Sequence, residues 1–106
     1  MPARYVARTN RGAAAACLSQ YAQFMERYYT TRLTYIGAAP ALGCTTQNNL
    51  NRHYTLAVID PLAGTYTLRA TPIATQASVD ARCGTLSIDQ SGARSVSGSA
   101  PVTECW

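Results

Sequence analysis

The sequence predicts an α+β fold in which one long N-terminal helix lies across an antiparallel sheet of about four strands. Three observations carry that expectation. Between Tyr5 and Tyr29 large apolar residues recur at three- and four-residue steps, the spacing of a core-facing helix. From Tyr54 to Ser97 short runs alternate apolar and polar residues between turn signals, as half-buried antiparallel strands do. Four cysteines, Cys17, Cys44, Cys83 and Cys105, form no close C-x-x-C pair, so a small chain uses them as two disulfides rather than as metal ligands.

The helix is read over residues 1–29. Leu18, Tyr21, Phe24, Met25 and Tyr28 share one stripe, and the Ala13–Ala16 run offsets Gly12, which costs roughly 1 kcal/mol relative to alanine in a helix. Arg4, Arg8 and Arg11 share another face, with only Tyr5 and Val6 beside them to anchor to a core. The helix is therefore expected to begin solvated and end buried, and to continue a helix that starts further upstream.

Residues 30–53 hold Gly37, Pro40, Gly43 and a polar run from Thr45 to Asn51, the composition of a long loop. Strands are expected at Tyr54–Ile59 and Thr65–Thr71, joined by the turn residues Asp60-Pro61-Leu62-Ala63-Gly64 and stopped by Pro72. A polar connection, Ile73 to Arg82, leads to strands at Gly84–Asp89 and around Arg94–Ser97, and the tail from Gly98 is irregular. Three disulfide pairings are open. The sequential one, Cys17 with Cys44 and Cys83 with Cys105, is the expected one: it closes two loops of similar length, ties the long loop to the helix and pins the tail, each bond worth roughly 3 kcal/mol in the chain-entropy model.

At 106 residues the chain is read as one domain, residues 1–106. All nine basic residues are arginine, against five acids, and the net charge of +4 favours anionic partners. No stretch reads as a membrane span or a signal peptide. Catalysis is not expected: the lone His53 has no partner to tune it, no lysine is present, and Asp60, Asp80 and Asp89 read as turn residues. No cofactor, metal or small-molecule substrate is expected. Tyr21 and Tyr28 are assigned to the core, Tyr29 and Tyr35 to an exposed border of the long loop, and Trp106 to the cover of the Cys83–Cys105 clasp. Arg52, Arg82 and Arg94 fall in or beside loops, where guanidinium groups with Gln and Asn neighbours can meet phosphates and base edges.

Glu26-Arg27-Tyr28-Tyr29-Thr30, then Thr34-Tyr35, and the closing pattern Cys83-Gly84-Thr85-Leu86 through Gln90-Ser91-Gly92 to Cys105-Trp106, resemble the minor pilins of type IVa pili and the related DNA-binding competence pilins. The resemblance covers nearly the whole chain. It implies a pilin fold with a helix–sheet loop at 30–53, a sheet within 54–97 and a disulfide-bounded C-terminal region at 83–105. It further implies that an apolar half of the helix, upstream of these residues, anchors the subunit in the inner membrane facing the periplasm and later packs inside an extracellular pilus. The expected function is that of a structural subunit in pilus assembly or priming, hence twitching motility and adhesion, with other pilins and the assembly machinery as partners. The alternative is a receptor for duplex DNA in natural transformation. A secretion pseudopilin is disfavoured, because five scattered acids offer no calcium site. The leader-peptidase site and the assembly glutamate of the family are absent from these residues.

Overall fold

A computed structural model describes the backbone of residues 3–106 and the side chains of residues 5–106. Its long axis is one helix, α1, running Ala3–Arg32 over 30 residues. At 1.5 Å per residue this is about 45 Å, which matches the longest dimension of the molecule, 45 Å. Two 3₁₀ segments, Gly43–Thr45 and Gln47–Arg52, lead into β1 (Tyr54–Ile59) and β2 (Thr67–Pro72). A short helix α2 (Ala74–Val79), strands β3 (Leu86–Asp89) and β4 (Arg94–Val96), and one turn of helix α3 (Val102–Cys105) complete the chain. The sheet is a fully antiparallel meander in the order β1-β2-β3-β4.

The core lies where the helix stripe meets the inner sheet face. Leu18 and Met25 from α1, Leu68 from β2 and Leu86 from β3 are fully buried, each contributing roughly 1.5–3 kcal/mol. The stripe differs from the expected one at both margins. Leu18, Tyr21 and Met25 are buried, but Phe24 and Tyr28 are only half-buried at its edge, and Ala7 and Ala14 extend it into the first half of α1. The helix therefore does not begin fully solvated. Alanine carries too little apolar surface to announce a buried face in sequence, yet its small size lets α2 approach closely.

Several boundaries shift for local reasons. α1 runs three residues beyond Tyr29, until Leu33 takes a left-handed conformation (φ 56°) and its amide closes the last turn on the Tyr29 carbonyl. The segment 30–53 is far from structureless. Tyr35, expected to be exposed, is buried, its ring 4.8 Å from that of Tyr29 and 4.7 Å from that of Tyr66, and Leu50 plugs the core. β2 begins at Thr67 rather than Thr65 and includes Pro72, which pairs with Tyr54 beyond the end of β3, where the missing amide hydrogen costs no ladder bond to a second neighbour. Likewise β3 begins at Leu86 rather than Gly84, β4 ends at Val96, and the tail carries α3.

The connection Ile73 to Arg82 holds α2, which no apolar period announces. Its anchor is polar: buried Gln76 donates from Nε2 to the Ala7 carbonyl at 2.9 Å and to the Tyr54 hydroxyl at 3.0 Å, and accepts from Asn10 at 3.2 Å. The disulfides pair sequentially, Cys17 with Cys44 and Cys83 with Cys105.

Candidate nucleic-acid interface

Three of the five acids, Glu26, Asp80 and Asp89, accept hydrogen bonds from the chain's own donors, and Asp80 alone is buried. Glu26 accepts hydrogen bonds from the Tyr35 hydroxyl at 3.0 Å and the Tyr66 hydroxyl at 3.1 Å. Burial first, and the Glu26 bond second, push the pKa of both phenols up, while burial dominates at Tyr54, pushed up to about 12. Asp89 accepts from the Ser91 hydroxyl at 2.6 Å and from the amides of Ser91 and Ala93, and the Ser91 bond leads the effects that hold its carboxyl below the usual range.

Asp80 adds to an expectation. It lies in a turn, as expected, but its carboxylate does more than close that turn: Asp80 is buried and meets Arg11 at 2.6 Å, with side chains only 11% and 13% exposed. Arg11 lines one cleft with Arg8, as their shared face predicts, but its guanidinium is largely buried against Asp80. Its remaining nitrogens donate to the Cys105 carbonyl at 3.2 Å and the Glu104 carbonyl at 3.4 Å, clamping the C-terminal loop to α1. Arg8 is exposed; the side chain of Arg4 lies outside the described residues.

Arg52, Arg82 and Arg94 do not share one surface. Arg52 closes the second 3₁₀ segment, after exposed Asn48 and Asn49 in left-handed conformations (φ 51° and 60°) that asparagine tolerates. Arg94 sits on β4, at the opposite sheet edge, three strand spacings or about 14 Å across from β1. Because residues directly paired across strands share a face, the Arg94–Ile88 pair places Arg94 on the helix side. There its guanidinium lies 4.9 Å from the ring centre of Trp106, whose Nε1 donates to the Ser95 carbonyl at 3.3 Å. Trp106, expected over the Cys83–Cys105 clasp, is half-buried and packs at the β4 edge. Arg82 is exposed, reaches Glu104 at 3.3 Å, and joins Arg8 and Arg11 around a cleft at the start of α1. Side chains 74% and 55% exposed make that Arg82–Glu104 pair weak.

Arg69 is a cation that the sequence does not single out. It stands in the middle of β2, exposed, on the sheet face away from α1, and lines a groove of about 350 Å³. The alternation Thr65, Thr67, Arg69, Thr71 places it on a polar face, but only the strand register brings the hydroxyls of β3 and β4 around it. Among the described residues, Arg52, Arg69 and Arg94 make no ion pair, and no cluster of three His, Cys, Asp or Glu side chains could hold a metal. No helix among them is long and apolar enough to cross a membrane.

The family described as "Type IV minor pilin ComP, DNA uptake sequence receptor" matches residues 3–87 of the chain. No curated protein matches the chain.

Proposed function

The chain belongs to the type IV minor pilin ComP family, and from that premise we propose that it is a pilus subunit that receives duplex DNA for uptake. One observation carries this reading beyond the family's description. The carboxylates of Glu26, Asp80 and Asp89 accept hydrogen bonds from the chain's own groups, whereas exposed Arg52 and Arg69 have no acidic partner among the described residues. Outward cations with neutral Ser, Thr and Asn donors match the contacts that position a protein on a phosphate backbone. In this reading the subunit waits in the inner membrane facing the periplasm and is then carried in the extracellular pilus.

A second reading, a structural role in pilus priming, draws on a different feature. Tyr5 and Val6 are large apolar residues left exposed on the first turns of α1, 57% and 41%, beside the cleft lined by Arg8 and Arg82. That end suits contact with neighbouring pilins. Deletion of the gene in its own bacterium separates the two. The receptor reading predicts normal piliation and twitching with transformation reduced by orders of magnitude, and restored by the intact gene. Loss of pili on deletion would favour the structural reading.

A further inference from the structure

We propose that the outer face of the sheet, centred on Arg69, is the surface that seats the phosphate backbone of duplex DNA, an inference that rests on the receptor reading above. Arg69 pairs with Ser87, and Ser87 with Ser95, so one rung across three strands presents a guanidinium followed by two hydroxyls. Their neighbours on inward-facing positions, Ala70 and Leu86, are fully buried, which fixes the Arg69 rung on the outside. Thr71, Thr85 and Ser97 complete the groove wall. The Ser97 hydroxyl accepts from the Thr85 amide at 2.8 Å, which leaves its own hydrogen to donate outward.

The lining chooses the ligand. No carboxylate lines the groove. Asp89, two residues beyond Ser87 on β3, has its carboxylate turned back into its own loop through Ser91 and Ala93. No aromatic ring is present to stack a sugar or a base, and Val96 is the single apolar residue, so neither a carbohydrate nor an apolar peptide finds its usual partner. What remains is one charged fork among neutral donors. An oxyanion of a phosphodiester accepts from all of them, and the charge-assisted bond to Arg69 supplies most of the attraction. The contact sets orientation: Arg69 is the one groove side chain whose paired donors match a guanine edge, and with that fork on the phosphate the seat carries no sequence information.

Arg69 and Arg94 face opposite sides of the sheet, so one duplex cannot seat flat on both, and the two arginines give a comparison within one molecule. Fluorescence anisotropy titrations of a labelled duplex at several salt concentrations would be run on the wild type, Arg69→Gln and Arg94→Gln, with thermal melts as a check on folding. Both side chains are exposed, so the melts are expected to agree within a few degrees. Arg69→Gln is expected to weaken binding about tenfold at low salt and to reduce the slope of log K against log[salt] by about 0.9, the value for one lost phosphate contact. Arg94→Gln is expected to change it less than twofold. If Arg69→Gln binds like the wild type while Arg94→Gln weakens binding, the groove is not the docking face, although the receptor reading survives. If the wild type binds no DNA at low salt, both proposals fall together.

Discussion

Replacing Arg11 with methionine is expected to cost the domain about 3–5 kcal/mol, the largest effect of any single substitution considered, because it strands a buried carboxylate. Asp80 is only 11% exposed at its side chain, and the other side-chain nitrogen near it, Gln76 Nε2 at 3.4 Å, lies closer to the Ala7 carbonyl and the Tyr54 hydroxyl, which take its two hydrogens. The same change removes the donors to the Cys105 and Glu104 carbonyls, so α1 loses its grip on the C-terminal loop. A domain of this size has a total stability of about 5–15 kcal/mol, so the variant is expected to unfold at much lower urea concentration or to be only partly folded at 37 °C. The double variant Arg11→Met/Asp80→Leu is expected to recover part of the loss, since no charge is then left buried. Arg82→Ala, which breaks the exposed pair with Glu104, is expected to cost under about 1 kcal/mol. A urea midpoint for Arg11→Met close to that of Arg82→Ala would show that the Arg11–Asp80 pair is solvated after all.

Removal of the Cys83–Cys105 disulfide by double substitution to alanine is expected to cost about 3 kcal/mol. The bond closes a segment with a sequence separation of 22, for which the chain-entropy model gives roughly that value. The structural consequence follows from position. Cys105 belongs to α3, and its carbonyl is one of the acceptors of Arg11. The amides of Gly98 and Ala100 hold the returning chain against the carbonyls of Cys83 and Arg82. Gly98 is required there, because a Cβ at that position would run into the Arg82 carbonyl group. Loss of the disulfide is therefore expected to loosen the segment after β4, with faster proteolysis there than within β1 to β3. The Arg11 and disulfide effects are expected to be less than additive, since both hold the same loop. Equal protease resistance of the two forms would contradict this account.

Much of the fold was legible because its signals are of the simplest kinds. Leu68 and Ala70 alternate with Thr67 and Arg69, and Leu86 and Ile88 with Ser87, so the sheet and its buried face follow from a period of two. The long helix follows from Leu18, Tyr21 and Met25. What was hidden depended on partners distant in sequence. α2 has no apolar stripe of its own and is held by Gln76, whose bonds reach Ala7 and Tyr54. The burial of Asp80 required Arg11, separated from it by 69 positions in the chain. Tyr35 bordered a polar loop in sequence, but Glu26 and Tyr66 gave its hydroxyl and ring a place inside.

The candidate site was less legible than the fold. Position near loops singled out Arg52, Arg82 and Arg94, yet the structure places Arg52 and Arg94 at opposite sheet edges and binds Arg82 weakly to Glu104. Arg69 looked like one more residue on a solvated strand face. Its surroundings emerge from the register of β2, β3 and β4, which pattern alone does not set.

The central claim is that this pilin captures duplex DNA, and its most direct test is the equilibrium affinity of the 106-residue chain for a labelled duplex, titrated from low to physiological salt. The account predicts saturable binding that weakens linearly in log K against log[salt], with a slope reporting about two or three phosphate contacts. Absence of saturable binding at low salt would contradict it and leave pilus assembly as the role to pursue.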